Sequence, residues 1–439
     1  MSKSVFHQVI DFFRERARQF VDKRTGQNTL YAMEDIALSA FSLFFTQSPS
    51  FLAFQALMQL NQGQNNAQTL FGIQAIPSDN HIRMMLDQTM PELVFPVFDK
   101  IGAILSEEGL MQEYQSIEGT YLVAIDGTEY FHSESLHCSG CQKKEYPESI
   151  HYSHSALTPI IVRPGHNQVL TLRPEFITPQ DGQEKQDCEI NAAKRWLSRF
   201  GEHYDWKATI LGDDLYAHHP FCDAVLKAKQ HFILVCKESS HPTLYEFVEY
   251  LEKIDQIEHK EMKVWTTKGS QERKYRYVNG IPLRDGDDSL IVNWCEVIIT
   301  EKGKKKPYRN TFITDYLITQ ENVDEICQGG RARWKVENEN NNTLKTKGYH
   351  LEHNFGHGKQ HLSALLATLN MLAFALHTLL EMVDHQYLQL RERLPSRATL
   401  FEHIRTLSSY ICFRDWNHLM IFMIQGLDKP HELPLPDSS

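Results

Sequence analysis

Two short apolar runs that each end in an acidic residue constrain the fold of this 439-residue chain most strongly. The run at residues 121–125 is followed by Asp126 and Gly127, and the run at 208–211 is followed, after one glycine, by Asp213. Short apolar runs that stop at turn residues are typical of strands buried on both faces. The sequence therefore predicts a central sheet with a carboxylate at the end of each of two strands.

The segments around these runs alternate between strand-like and helix-like patterns. Three short strands in a meander come first, and helices then alternate with strands, which is the order found in ribonuclease H-like domains. The predicted strands are at 121–125, 129–132, 158–162, 169–172, 208–211 and 231–236, and the predicted helices are at 183–200 and 218–229.

The remaining regions complete a five-part division of the chain. The helical N-terminal region contains a helix that begins after the N-cap Ser78 and resembles the second helix of a helix-turn-helix. Plain helical packing is the alternative, because Arg83 is the only fixed positive charge on that helix. The five parts are a helical DNA-binding domain (1–117), the first part of the core (118–239), a β-rich insertion (240–318), the final part of the core (319–385) and C-terminal helices with a tail (386–439).

Composition narrows the classes of protein that the chain can be. A hydrophobic fraction of 41% is ample for a folded core, and the net charge of -11 argues against general affinity for nucleic acids. Phosphate binding would instead need local basic runs, and two exist: residues 302–309, and residues 331–347 with five Lys/Arg against two Glu. The start lacks a signal peptide and no apolar run approaches the roughly 18 residues of a membrane span, which predicts a cytoplasmic protein.

A third acidic residue, Glu337, lies inside the second basic run. Arg333, Glu337, Asn341 and Lys345 are spaced by four and would share one broad face of a helix. On such a face the acid can bind a cation while the basic residues hold phosphate oxygens. The alternative is a pair of surface salt bridges, which would contribute little. With Asp126 and Asp213, the pattern suits divalent cations held against phosphates.

These residues also carry a resemblance to a known family. The segments Ala-Ile-Asp-Gly-Thr at 124–128, Leu-Gly-Asp-Asp-Leu at 211–215 and Arg-Trp-Lys-Val-Glu at 333–337 resemble those of bacterial insertion-sequence transposases of the DDE type. The resemblance implies an α/β fold with a ribonuclease H-like mixed sheet core, an all-helical N-terminal region and an inserted antiparallel β domain. It implies that Asp126, Asp213 and Glu337 are catalytic residues that hold two Mg²⁺ ions.

The implied reaction is cleavage of double-stranded DNA at the terminal inverted repeats of a transposon, followed by strand transfer into target DNA. Synapsis of two ends favours a homodimer in the DNA complex. The alternatives are a ribonuclease H-like nuclease without strand transfer and a DNA-binding derivative that no longer cuts. The basic stretch supplies the candidate DNA contacts: Arg331, Arg333, Asn341, Lys345 and Lys347.

The chain departs from the family pattern at two positions. A tyrosine is usual three residues before the arginine, where this chain has Gly330, and a lysine is usual seven residues after the glutamate, where it has Leu344. Lys345, one residue later, and Lys347 are therefore the alternatives for the phosphate contact. Asp214 is the alternative to Asp213 as the second acid.

A separate group of cysteines and histidines predicts a structural zinc ion. Cys138 and Cys141 are separated by two residues and are followed by His151 and His154, and these are the ligand types of tetrahedral zinc. Cys188 is a further candidate thiolate ligand. The alternative is a loop with ordinary reduced cysteines.

Three other polar positions are weaker candidates. The segment 351–358 is rich in side chains that suit contact with DNA or metal, although a polar loop between helices is an equal alternative. Glu175 and Asp181 could support the acidic site, but roles in turns and caps are favoured.

Overall fold

The computed structural model describes residues 4–25, 29–54, 65–179, 188–266, 269–301 and 303–428. The chain forms two compact units. The first contains Met1–Gly109, Glu129–His154 and Asn342–Ser439, and the second contains Leu110–Thr128 and Ser155–Asn341. The five-part division from the sequence stays a prediction.

Helices dominate the first unit and flank the sheet of the second. In chain order they are α1 (Val5–Ala17), α2 (Met33–Phe45), α3 (Asn66–Phe71), α4 (Asp79–Leu86), α5 (Pro96–Glu107), α6 (Glu189–Ser198), α7 (Phe200–His203), α8 (His219–Lys227), α9 (Pro242–Lys253), α10 (Val323–Arg331), a π-helical turn (Val336–Asn341), α11 (Asn342–Thr346), α12 (Leu362–Val383), α13 (His385–Arg393), α14 (Arg397–Tyr410) and α15 (Trp416–Asp428).

The strands form two sheets. They are β1 (Tyr121–Ala124), β2 (Gly127–Ser133), β3 (Gln142–Glu145), β4 (Ile150–Leu157), β5 (Ile160–Val162), β6 (Leu170–Thr171), β7 (Glu175–Ile177), β8 (Ala208–Gly212), β9 (His231–Val235), β10 (Glu258–Thr266), β11 (Gly269–Pro282), β12 (Ile291–Glu301) and β13 (Tyr308–Thr314).

Helix α12 forms the centre of the first unit. It is buried along most of its length and packs against α2, and its His377 donates a hydrogen bond from Nε2 to the Phe45 carbonyl at 3.0 Å. By length and composition alone α12 could cross a membrane, and 94% of its most apolar stretch is buried inside the structure. This corrects the sequence-based expectation that no segment of the chain reaches the length and apolarity of a membrane span.

The second unit is built on a mixed nine-stranded sheet. Its order is β10-β11-β12-β13-β9-β8-β1-β5-β6. Strand β1 is parallel to β8 and β8 is parallel to β9, whereas β5 and β6 are antiparallel additions. The register pairs Ala124 with Leu211, so that β1 and β8 end at the same edge of the sheet. This pairing places the residues that follow the two strands, Asp126 and Asp213, at one edge.

Two features of the sheet differ from the sequence prediction. Residues 129–132 belong to β2, which lies in a separate sheet of order β2-β4-β3, and β5 and β6 supply the antiparallel strands beside β1. Burial along β2 is interrupted by exposed positions, whereas β1 is buried at every position, as a central strand requires. The inserted strands β10–β13 continue the nine-stranded sheet through the pairing of β13 with β9 and do not form a sheet of their own.

The proposed helix-turn-helix corresponds to α3 and α4. Ser78 is the N-cap of α4, as predicted, and its side chain accepts a hydrogen bond from the backbone N–H of His81. Arg83, however, donates from Nε to the Phe355 carbonyl at 2.9 Å and forms an ion pair with Asp79 at 3.5 Å. Its positive charge is thus engaged inside the first unit, and DNA contact by α4 stays a prediction.

Close packing of α10 on the sheet explains one departure from the family pattern. A Cβ atom on Gly330 would lie 2.6 Å from Cε1 of Phe312 and 2.9 Å from Cγ2 of Ile233. Distances of this size leave no space for a side chain, so that the tyrosine expected at this position cannot be accommodated here.

Candidate functional site

Asp126 is the centre of the acidic site. It follows β1, and its side chain is largely buried. Asn341 donates a hydrogen bond from Nδ2 to Asp126 Oδ2 at 2.9 Å, and the backbone N–H of Thr158 donates to the Asp126 carbonyl at 3.0 Å. The Thr158 hydroxyl in turn donates to Oδ1 of Asn341 at 2.8 Å. The carboxylate is therefore held in one orientation by a short chain of polar contacts.

The two neighbouring aspartates after β8 have different partners. Asp214 accepts a hydrogen bond from the backbone N–H of Lys237 at 2.6 Å and another from the Ser240 hydroxyl at 2.5 Å. Both of its carboxylate oxygens are thus engaged in fixing the loop after β9. Asp213 accepts one hydrogen bond, from the backbone N–H of Leu215 at 2.9 Å, and its charge acts on Asp126. These contacts favour Asp213 as the second acid.

Glu337 lies in the π-helical turn. Its carboxylate is half-exposed and forms an ion pair with Arg333, with Nη1 and Oε1 2.6 Å apart. A π-helical turn is wound with i→i+5 hydrogen bonds and occurs often at functional sites. The i,i+4 ion pair of Arg333 with Glu337 agrees with the common face predicted for these two residues.

Glu189, at the start of α6, is a fourth acidic residue in the site. The Tyr216 hydroxyl donates a hydrogen bond to Glu189 Oε1 at 2.5 Å. A Cβ atom on Gly127 would lie 2.3 Å from Glu189 Oε2, so that this carboxylate rests against the backbone next to Asp126. Glu189 was not predicted from the sequence, because an acid in the first turn of a helix is ordinarily explained by the helix dipole. The glycine after Asp126 was the available signal, since it makes room for a neighbouring group.

The crowding of these acids changes the protonation of Asp126. Burial, followed by the negative charges of Glu189 and Glu337, raises the pKa of Asp126 to about 7, and the opposing charge of Arg333 does not cancel the effect. Asp213 acts in the same direction. Burial and Glu189 likewise raise the pKa of Tyr216 well above its usual range. A site with this excess of negative charge favours the binding of cations.

The carboxylates around Asp126 offer the oxygen ligands of Mg²⁺ without forming a closed cage. Within the described residues, the carboxylates do not form a group of three whose ligand atoms all lie within 4.8 Å of one another. Mg²⁺ usually keeps several waters and binds through one or two carboxylates together with substrate phosphates. Asp126, Asp213, Glu337 and Glu189 are the side chains that would hold such ions.

The predicted DNA-contacting residues have varied surroundings. Arg331 stacks over the ring of Tyr308 at 4.7 Å, and Lys345 forms an ion pair with Glu352 at 2.8 Å. Lys347 is exposed. Asn341 is 6% exposed and its amide is engaged by Asp126 and Thr158, so that it positions the acid, and its contact with DNA stays a prediction.

Of the two acids predicted to support the site, only Glu175 lies among the described residues. Glu175 accepts a hydrogen bond from Nε of Arg195 at 2.9 Å and lies 3.7 Å from Arg199, which accounts for its charge. Asp181 lies outside the described residues.

The first unit contains a compact cluster of Cys138, Cys141, His154 and His357, whose ligand atoms all lie within 4.8 Å of one another. The sequence prediction is therefore corrected at two positions. His151 and His154 are three residues apart on β4, and an odd spacing on a strand points them to opposite faces. His151 instead lies 3.0 Å from His132. Cys188 is exposed next to α6 and is not in the cluster.

Comparisons with known proteins give limited information. No protein-family model matches the chain, and no curated protein matches it. The structure is distantly similar to a piggyBac transposase in a synaptic complex with hairpin DNA, with a TM-score of 0.39 and 10% sequence identity over 99% of this chain and 81% of that chain. Similarity at this level does not assign an activity.

Proposed function

We propose that the protein is a DDE-type transposase that cleaves DNA at transposon ends by metal-dependent phosphoryl transfer and joins the ends to target DNA. The observation that carries the proposal is the parallel pairing of β1 with β8, which places Asp126 and Asp213 at adjacent strand ends. Burial and the charges of Glu189 and Glu337 raise the pKa of Asp126 to about 7, and this excess of negative charge favours the binding of a cation.

The strand order supports a ribonuclease H-like core for this activity. Strands β6, β5, β1, β8 and β9 are neighbours in that order, with β1, β8 and β9 parallel. The sequence predicted this arrangement of the two acid-bearing strands side by side. The inserted strands β10–β13 precede the third acid in the chain, as the family resemblance implies.

The side chains have distinct roles in the proposed reaction. Asp126, Asp213 and Glu337 would bind Mg²⁺, which supplies Lewis-acid stabilisation of the scissile phosphate and activation of the attacking oxygen. Arg333 balances part of the charge of Glu337 and holds it in place. Asn341 fixes the orientation of Asp126, and Glu189 adds a carboxylate on the other side of Gly127. Neither DNA cleavage nor joining by this route needs a nucleophilic side chain.

A plasmid assay tests the proposal. The full chain is incubated with Mg²⁺ and a plasmid that carries the DNA found on both sides of its coding sequence, together with a second plasmid as target. We expect cleavage at the flanks and joining to the target plasmid. Asp126→Asn, Asp213→Asn and Glu337→Gln should abolish both products, whereas Glu339→Gln, on the same helical segment, should retain them.

The same assay separates the alternatives. Cleavage that depends on the three acids but yields no joined product would favour a nuclease without strand transfer. DNA binding without cleavage by the unmodified chain would favour a derivative that no longer cuts. Unchanged cleavage in the three acid variants would reject the proposed site. A homodimer in the DNA complex and a cytoplasmic location are part of the same proposal.

A further inference from the structure

The cysteine–histidine cluster of the first unit has the dimensions of a filled metal site. The distance is 3.9 Å between the sulfurs of Cys138 and Cys141, 3.4 Å between Cys141 Sγ and Nε2 of either histidine, and 3.2 Å between the Nε2 atoms of His154 and His357. Tetrahedral zinc, with Zn–S of about 2.3 Å and Zn–N of about 2.0–2.1 Å, separates such atoms by about 3.8, 3.6 and 3.3 Å. The observed separations agree with these values.

The surroundings of the ligands also match those of a metal site. His357 Nδ1 lies 3.0 Å from the Gly358 carbonyl, and a hydrogen bond donated there leaves Nε2 as the ligand atom. The backbone N–H of Cys138 lies 3.4 Å from the Cys141 sulfur and can donate to it. The ring of Tyr130 stacks on His154, and the ring of Phe131 lies 4.3 Å from that of His357. Hydrogen-bonded ligands inside an aromatic shell are typical of a site with fixed geometry.

The chemistry of the donor set selects the ion and its role. Two thiolates and two imidazoles in a tetrahedron favour zinc over magnesium or calcium, which prefer oxygen ligands. Four protein ligands leave no open position for water or substrate, as in structural zinc sites. A disulfide is a poor description of the pair, because its sulfurs would be about 2.05 Å apart.

We propose that Cys138, Cys141, His154 and His357 bind one structural Zn²⁺ that joins two distant segments of the first unit. Three ligands come from the segment that contains β3 and the start of β4, and the fourth comes from the loop before α12. Cys141 and His357 are separated by 216 residues in the chain. The ion thereby ties that loop to the β3–β4 segment. This proposal does not depend on the transposase activity.

Metal analysis of the full chain tests the site. After exchange into Mg²⁺-free buffer, we expect one zinc per chain in the unmodified protein. His357→Ala and Cys141→Ser should lose it, whereas the matched controls His151→Ala and Cys188→Ser should retain it. The controls remove a histidine and a cysteine that the sequence alone would have assigned to the same site.

A second measurement covers the case in which the ligand variants fail to fold. The unmodified protein, with Co²⁺ exchanged for zinc, should show the visible absorption of tetrahedral cobalt with thiolate ligands, and His357→Cys should keep the metal and change that spectrum. Absence of zinc from the unmodified chain, loss of zinc in His151→Ala, or a disulfide between Cys138 and Cys141 in the isolated protein would overturn the proposal.

Discussion

The acidic cluster of the second unit and the cysteine–histidine cluster of the first unit have similar numbers of ionisable side chains but differ in geometry and in charge. Around Asp126, burial and the negative charges of three neighbouring carboxylates raise the pKa of that acid, and the charge of Arg333 opposes the effect. Around Cys141, two sulfurs and two ring nitrogens converge to within 4.8 Å of one another. The first site is open and excessively negative, and the second is closed and can be balanced by one divalent ion.

The difference corresponds to two kinds of metal site: one in which the substrate supplies some of the ligands, and one in which the protein supplies them all. An open carboxylate site gains its remaining ligands from phosphate oxygens and water, so that the ions are held best when substrate is present. A closed site with four protein ligands gains nothing from substrate, and its binding energy contributes to folding. The two clusters are therefore expected to respond differently to the same treatments.

The largest expected effect is on catalysis at the open site. Under the proposed function, Asp126→Ala or Glu337→Ala should reduce cleavage of the flanking DNA by at least about 10³-fold, because each would remove a proposed ligand of the metal ions. Binding of the same DNA, measured by gel shift at fixed salt, should survive. Loss of DNA binding in parallel with cleavage would mean that the acids support the fold and not the reaction.

Removal of metal should then distinguish the two clusters by stability. A zinc-selective chelator should lower the free energy of unfolding of the chain by several kcal/mol, since apparent binding energies of structural zinc are about 10–16 kcal/mol in small domains. Omission of Mg²⁺ should lower it much less. Denaturant unfolding followed by circular dichroism measures both. Equal losses of unfolding free energy after zinc chelation and after omission of Mg²⁺ would contradict the expected difference between the two clusters.

A smaller effect is expected from the residue that orients Asp126. Asn341→Ala removes the hydrogen bond to Asp126 Oδ2 and should reduce cleavage by roughly 10- to 100-fold, the usual cost of losing a group that holds a metal ligand. The reduction should be smaller at high Mg²⁺ concentration, which a purely structural defect would not show. Thr158→Val, which loses the hydroxyl contacts to Asn341 Oδ1 and to the Asp126 carbonyl but leaves the Asn341–Asp126 bond, should give a milder loss of the same kind.

The smallest effect concerns the dependence of stability on pH in Mg²⁺-free buffer. The native pKa of Asp126, about 7, is above its value in an unfolded chain, so that the proton stabilises the native state at low pH and this stabilisation is lost as pH rises through 7. Asp126→Asn removes the titration. Its stability relative to the unmodified protein should rise by about 2 kcal/mol between pH 5 and pH 8. A constant difference across that range would show that the pKa of Asp126 is not raised in the folded protein.

The sequence predicted the parts of the site that depend on local pattern. Apolar runs ending in Asp126 and Asp213 indicate buried strands, and parallel pairing of β1 with β8 brings their ends together. The choice between Asp213 and Asp214 was not predictable. It depends on the loop after β9, where Lys237 and Ser240 engage Asp214, and no short-range pattern reports such a contact.

The remaining residues of the two sites could not be predicted, because they are far along the chain from the residues that they contact. Glu189 reaches Asp126 only because α6 begins beside Gly127, and His357 reaches Cys141 across 216 residues. His151 looked as suitable as His154 by spacing from the cysteines. The alternation of side chains along β4 excludes it, and that rule can be applied only once the segment is known to be a strand.

The contact between Gly330 and Phe312 limits which side chains can occupy position 330. The ring of Phe312 on β13 occupies the volume that a side chain on α10 would need at position 330. A bulky side chain at position 330 therefore requires a smaller one at position 312. Gly330→Tyr should be tolerated only together with smaller residues at both Phe312 and Ile233, since a Cβ atom at position 330 would lie within 3.0 Å of each. One substitution on α10 therefore requires compensating changes on two strands, β13 and β9.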